Sequence, residues 1–507
     1  MQPILIQAVF LPIILSPIAY VLGRRIGARV GWFAFAALLY STLLILLAAG
    51  SSPNYLEEYN WQPIGTFGLK LDGLSVPFAA TIYILSTVLA VYSIPYMTHR
   101  IEEEVEEIQD KEEQHRLFNH KIGLYFTYYL AYAAGMLGTV LATNLIQFYI
   151  FFELMLIPSF FLIAQFGYGD RVKISLMYFL WTHVGALLLL AGLLALGFLS
   201  GHFDMSLINT ASMDQSVLIW IAVAITVGLF VKLAAFGLHI WLPYAHAEAP
   251  TPISALLSPA MIGIGGYAVI RLLLFLLPAQ YEIISFAISI WGLITIIYGG
   301  LMALNQDDIK RFLAYSSVSQ MGYIIFGISS AYYVGVSGSV FQYVSHGTGK
   351  ALLFMAAGSI IMQTHGVRSI NNLGGLSRRL PITAIAAMIG FLAIIGVPPM
   401  NGFQSEWMIF YGSFAGALKT GSTAKLFVTA AALIATALTA GYTLVLMKRV
   451  FYGETPEHLQ EVKEAGLTVT LPLLALAFIT ILLGIYPGLV TERLLPVIAS
   501  VLGGGAS

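Results

Sequence analysis

Residues 217–251 read VLIWIAVAITVGLFVKLAAFGLHIWLPYAHAEAPT, a long apolar run interrupted midway by Lys232 that leads through Gly237, His239 and Pro243 into His246-Ala247-Glu248. At about 1.5 Å per residue, an unbroken helix over 217–247 would measure roughly 46 Å, against a hydrocarbon layer of about 30 Å. The segment is therefore tilted or broken, and Gly237 to Pro243 is the expected break. Lys232 lies about 22 Å from either end of such a rod, too deep for easy snorkelling. An ammonium at that depth costs about 2.5–3.5 kcal/mol on insertion scales, so it must face protein or water. Two roles are open to it: carrying ions or protons, or holding a structural ion pair inside a helix bundle.

The rest of the chain has the same character. Of 507 residues, 58% are hydrophobic and only 10% charged, where soluble domains carry about 25% charged residues. This is an integral membrane protein. The net charge of −1 is neutral on nucleic acid, and the hydrophobicity argues against it. With no cysteine there is neither a disulfide framework nor a thiolate for an iron–sulfur cluster. In a redox machine the electrons would travel in another subunit, and no cofactor is expected on this chain. The first 25 residues lack a basic leader and a small-residue cleavage site, which predicts a retained membrane helix.

Apolar runs of about 20 residues predict fourteen spans, near 3–23, 29–49, 74–96, 122–142, 144–167, 172–200, 217–247, 252–277, 282–303, 311–331, 334–364, 380–414, 423–449 and 466–487. Loops after odd-numbered spans hold 17 of the 24 lysines and arginines, among them Arg24, Arg25, Arg29, Arg171, Lys310, Arg378 and Lys448. The positive-inside rule puts those loops in the cytoplasm and both termini outside, in a multi-pass plasma-membrane protein. Residues 99–121 (HRIEEEVEEIQDKEEQHRLFNHK) read as a solvated cytoplasmic helix of alternating charge, or as a docking surface for a neighbour.

Four spans carry ionisable groups that lipid would not accept. Glu153 sits in QFYIFFELMLIPSFFLI (147–163), and Lys232 as above. Lys350 lies in SVFQYVSHGTGKALLFMAAGSIIM (339–362), with His346 one turn earlier on the same face. Glu406 follows Pro398-Pro399, which interrupts a second long span. Unwound backbone at membrane depth is tolerated only beside protein or water, so both breaks are expected to line a polar cavity. Burial pushes the pKa of a carboxylic acid up and that of an ammonium down, and a nearby opposite charge reverses both. A buried Glu–Lys pair that opens and closes can thus capture and release protons, and His346 suits a relay step or a packing role. His239 and His246 are accessory candidates, placed near a membrane end. The three histidines lack the carboxylate or thiolate company of a zinc site, and no metal is expected.

Spans 4–8 and 9–13 each hold five helices, with the interrupted helix fourth in each set. Five is odd, so the sets have opposite topology, as in transporters built from inverted repeats. The expected fold is all-α and integral to the membrane, with discontinuous helices at spans 7 and 12. The expected organisation is a three-span region with the acidic loop (1–121), repeats at 122–277 and 282–450, and a C-terminal span and tail (451–507).

HIWLPYAHAEAPTPISALLS (239–258), DDIKRFLAYSSVSQMGYIIFG (307–327), SHGTGKALLFMAAG (345–358), GVPPMNGFQSEWMIFYGSF (396–414) and FFELMLIPSFFLI (151–163) together resemble the antiporter-like subunits of respiratory complex I. Their relatives are Mrp-type cation/proton antiporters, membrane-bound hydrogenases and related ferredoxin or deazaflavin-coenzyme dehydrogenases. The pattern is most similar to chain M, with Glu406 where other branches carry lysine.

The resemblance implies roles along the chain. Glu153 would modulate the span-seven lysine, Lys232; Glu406 would end the half-channel to the opposite side; His346 and Lys350 would be the central pair of span eleven. Members often carry a span-eight lysine, and the matching position in SPAMIGIGGYAVIRL (258–272) is Gly263, so Lys350 is expected to take the central relay place. Implied partners are antiporter-like neighbours and a redox-bearing arm in one membrane complex, with protons or Na+ as cargo. A seat inside the row of pumping subunits is implied, because the sequence shows no long lateral helix after span fourteen. A sodium/proton antiporter subunit and an ion-inactive scaffold stand as alternatives, ahead of a solitary transporter of organic solutes.

Overall fold

The computed structural model describes residues 3–503. Helices α1 (Ile4–Ile26) and α2 (Val30–Ser51) lead into a β-hairpin, Tyr55–Trp61 (β1) with Gly65–Leu71 (β2), in which Tyr55 faces Leu71 and Trp61 faces Gly65. Helices α3 (Ser75–Val105), α4 (Lys111–Leu141), α5 (Leu145–Phe166), α6 (Arg171–Ser200), α7 (Gln215–Lys232) and α8 (Trp241–Glu248) follow. Next come α9 (Thr251–Leu274), α10 (Pro278–Leu304), α11 (Ile309–Ser329), α12 (Tyr333–Gln363), α13 (Pro381–Ile395), α14 (Asn401–Lys419), α15 (Thr423–Phe451), α16 (Leu467–Ile485) and α17 (Gly488–Leu502). Ten helical segments among the described residues are long and apolar enough to cross a membrane. The protein is helical and integral to the membrane.

The long helices that miss that apolar test, α11, α12 and α14, are informative. Serines, glutamines, His346, Lys350 and Glu406 lower their hydropathy. Helices α11 and α12 are buried nearly all round, so their polar groups meet protein instead of lipid. Helix α12 is the central pillar, packed against α3, α9, α11, α13, α14, α16 and α17. Helix α9 is wholly buried and relaxes into π-helical turns at Leu257–Met261 and Val269–Leu274.

The first break begins before Gly237 and ends before Pro243, sharing Gly237 to Ile240 with the expected stretch. Helix α7 ends at Lys232 itself, Ala234 and Gly237 take positive φ of 51° and 83°, and the helix resumes at Trp241. Pro243 belongs to the first turn of α8, where its missing N–H costs nothing. The unwound backbone is satisfied by side chains: Trp181 donates to the Leu238 carbonyl (2.9 Å), Trp291 to Phe236 (2.9 Å) and Trp241 to Val231 (2.9 Å). The Phe236 N–H donates to Thr295 Oγ1 at 3.1 Å. At the second break α13 ends on Gly396 in the left-handed region, and α14 begins three residues after Pro398. Asn401 anchors that start to α12, accepting from Ser345 Oγ and donating to Thr348 Oγ1, both at 3.0 Å.

Three features depart from the sequence reading or add to it. Residues 99–121 are helical in two pieces instead of one: α3 runs on to Val105 and α4 starts at Lys111, with Asp110 capping it through the Glu112 N–H. A domain boundary at 121/122 would therefore cut α4. The tail after α16 carries a further helix, α17, seated on Val490, Leu494 and Ile498 at four-residue spacing. The hairpin after α2 went unanticipated, because its exposed residues follow no clean alternation.

Candidate functional site: buried charges along two broken helices

The ammonium of Lys232 closes α7 at the mouth of the first break. The residue is 2% exposed and its Nζ has no hydrogen-bond partner. The ammonium stands 5.2 Å from the centre of the Phe152 ring, a cation–π contact, and within electrostatic reach of Glu153. Glu153, from α5, accepts from His183 Nδ1 of α6 at 3.2 Å, while its other oxygen is unpartnered. Glu153 and Lys232 are thus coupled through space but make no ion pair in this conformation.

The central group is larger than the sequence indicated. Lys350 is fully buried, donates to the Leu313 carbonyl at 3.2 Å and bonds Ser316 Oγ. His346 is fully buried with neither ring nitrogen partnered. His246, expected near a membrane end, is instead fully buried, stacks on Phe354 at 5.2 Å, and lies within electrostatic reach of both Lys350 and His346. His246 lies in the last turn of α8, where the Tyr168 N–H of the α5–α6 turn donates to the Glu248 carbonyl at 2.8 Å and Lys310 donates to the Ala247 carbonyl at 3.3 Å, so it is buried close to the end of its span. His239 remains at the break, stacked between Phe236 and Tyr298. Gly263 has no room for a longer residue, since a Cβ there would stand 2.2 Å from the Tyr343 ring.

Beyond Lys350, α11 presents Ser316 and, one turn on, Gln320. Gln342 of α12 donates to Gln320 Oε1 at 2.5 Å and accepts from Ser405 Oγ of α14 at 2.5 Å. Ser405 precedes Glu406, whose carboxylate lies against Gly396, where a Cβ would stand 2.7 Å from Oε2. Glu406 is half-buried, beside the exposed Trp407. The hydrogen-bonded run is Gln320–Gln342–Ser405, with Ser316 on Lys350 and Glu406 next to Ser405 in the chain, whereas Lys232 faces Glu153 and His183 without a direct bond to either.

Sequence reasoning missed His183, Gln320, Gln342 and two ion clusters. Asp72, at the foot of α3, accepts from Arg271 at 2.7 Å and is 2% exposed. Burial pushes the Asp72 carboxyl up, but the charge and hydrogen bond of Arg271, with Ser75 and Lys70, outweigh it and hold the group below the usual carboxylate range. Glu104, from the acidic run, binds Arg100 at 3.0 Å and also Lys121 and Arg171. Arg171–Glu104 and Arg271–Asp72 join residues 67 and 199 positions apart, beyond the reach of any local pattern, whereas Arg100 lies one helical turn from Glu104.

Buried acid, amine and imidazole groups at two broken helices define an ion-conducting membrane protein. The chain belongs to the NADH:quinone oxidoreductase/Mrp antiporter transmembrane family, whose pattern matches residues 142–434. It is 31% identical over 512 residues to F(420)H(2) dehydrogenase subunit M of Methanosarcina mazei, covering 98% of this chain and 97% of that one. NADH-quinone oxidoreductase subunit M of Rhodobacter capsulatus is 31% identical over 523 residues, with 98% and 96% covered. The fold matches a chain of respiratory complex I from Thermus thermophilus (TM-score 0.84, 24% identity, 99% of this chain and 100% of that one). It also matches a chain of the Mrp complex from Dietzia (TM-score 0.82, 27% identity, 98% of this chain and 51% of that one).

Proposed function

We propose that this chain is the proton-translocating, antiporter-like subunit of a redox-driven complex in the plasma membrane. The carrying observation is Lys232: a buried ammonium without a hydrogen-bond partner, at the mouth of a helix break, within reach of a carboxylate that His183 holds on its other side. If Glu153 swings from His183 to Lys232, the charged form is favoured and the amine takes up a proton to become the ammonium; if it swings back, the neutral form is favoured and the ammonium releases that proton. His246, His346 and Lys350 then receive the proton, and Glu406 delivers it to the opposite side. In this path Lys350 takes the central place that Gly263 leaves open.

The architecture proposed for proton translocation has fourteen spans, counting α7 with α8 and α13 with α14. Spans 4–8 and 9–13 form inverted repeats, odd-numbered loops are cytoplasmic and both termini are outside. Partners are membrane subunits of the same class and an arm that carries the redox centres, and protons are the cargo. The family and the subunit M relatives support the redox-driven reading. The likeness to an Mrp complex chain at 27% identity supports a second one, a sodium/proton antiporter subunit.

One reconstitution separates these readings. Complex containing Lys232→Ala, assembled normally in proteoliposomes, should lose proton uptake; full uptake would leave a scaffold. Uptake by the unaltered complex should persist in sodium-free buffer, and an absolute sodium requirement would establish the antiporter reading instead.

A further inference from the structure

The turn between α1 and α2 reads RRIGAR (24–29). Gly27 sits at φ +57°, packed so closely on Asn119 of α4 that an added Cβ would stand 2.8 Å from its Oδ1. With the ends of α3 and α4, this turn walls a cleft of about 880 Å³ whose lining includes Arg25, Arg29, Thr98, Glu102, Lys111 and Asn119. Three cations face one carboxylate there.

Two features set the cleft apart from an ordinary basic edge. Arg25, Arg29 and Lys111 enter no ion pair among the described residues, although the same hairpin is rich in carboxylates; Glu104 is instead taken by Arg100, Lys121 and Arg171. Asn119 is only 5% exposed, and its amide oxygen has no partner. Its nitrogen donates to the Arg24 carbonyl at 3.5 Å and lies 3.0 Å from His115 Nε2, holding the α1–α2 turn against α4.

Two guanidinium forks and an ammonium around a bay of this size fit a phosphate. The bay lies where the apolar α1 ends and α2 begins, which is headgroup level. Ile18, Val21 and Ile26 are exposed along α1, and Trp32 is exposed at the start of α2; they offer acyl chains an apolar wall and an interfacial aromatic. We infer that this cleft binds the phosphate of an anionic phospholipid, tying the α1–α2 turn to the α3–α4 extension. A basic pocket between membrane helices is suited to such a headgroup.

The test is native mass spectrometry of the full chain in neutral detergent, titrated with dioleoylphosphatidylglycerol, with dioleoylphosphatidylcholine, and with inorganic phosphate. Phosphatidylglycerol should bind about fivefold or more tighter than phosphatidylcholine, as expected for several cations acting on one headgroup. Arg25→Gln/Arg29→Gln/Lys111→Gln should bring it down to the phosphatidylcholine level. Glu102→Gln should raise phosphatidylglycerol affinity, a gain that misfolding cannot mimic. Arg378→Gln/Arg379→Gln, a basic pair outside the cleft, should change nothing. Equal binding of the two lipids, retention by the triple variant, weaker binding by Glu102→Gln, or an equal loss with the Arg378/Arg379 pair would overturn the site. Displacement of lipid by inorganic phosphate would overturn the lipid assignment in favour of a soluble anion.

Discussion

Glu153 has one oxygen on His183 and one on nothing, and Lys232 has no hydrogen bond at all. Such a pair is poised between partners, and this makes specific demands on mutants. Replacing His183 by Phe frees Glu153 to stay with Lys232, so proton uptake should fall severalfold while assembly is retained; unchanged uptake would remove His183 from the account. Lys232 was legible in the sequence because an isolated lysine in an apolar run has few innocent explanations. His183 was not, since a lone histidine on a lipid-length helix gives no sign of its partner 30 residues away.

At the scale of elements, the two breaks are built from close approaches that their glycines permit. A methyl group on Gly402 would stand 1.8 Å from the Ala393 carbonyl, so Gly402→Ala must push α14 away from α13 and pull Asn401 off Ser345 and Thr348. The expected cost is about 1–3 kcal/mol, as for overpacking elsewhere, read as a lower unfolding temperature. Gly441→Ala, with open space around its Cβ, should be neutral or slightly stabilising, since glycine inside a helix costs about 0.5–1 kcal/mol. The existence of both breaks followed from helix length and from Pro398-Pro399. Their positions depended on which groups could satisfy unwound backbone, and Trp181, Trp291 and Thr295 lie far away in sequence. Helices α11 and α12 show the same limit: their hydropathy is too low for a lipid-facing span and makes sense only once they are seen to be buried.

Across the whole molecule, Asp72 and Arg271 tie the foot of α3 to the far end of α9. Asp72 is held below its ordinary value of 3.8, so its contribution to stability is complete above that pH and is lost as pH falls toward the depressed value. Asp72→Asn should cost about 3–5 kcal/mol by stranding Arg271, whereas Asp72→Leu/Arg271→Met together should cost much less; thermal unfolding of the purified chain near pH 7 and in acid checks both. The claim that depends on the entire chain is that one path joins Glu153 and Lys232 to Glu406. The most direct test is proton translocation per electron pair in proteoliposomes holding the complex with Glu406→Gln, which sits in the opposite half from Lys232. A single path predicts that proton movement attributable to this subunit disappears while the complex stays assembled. Full translocation with Glu406→Gln would contradict it.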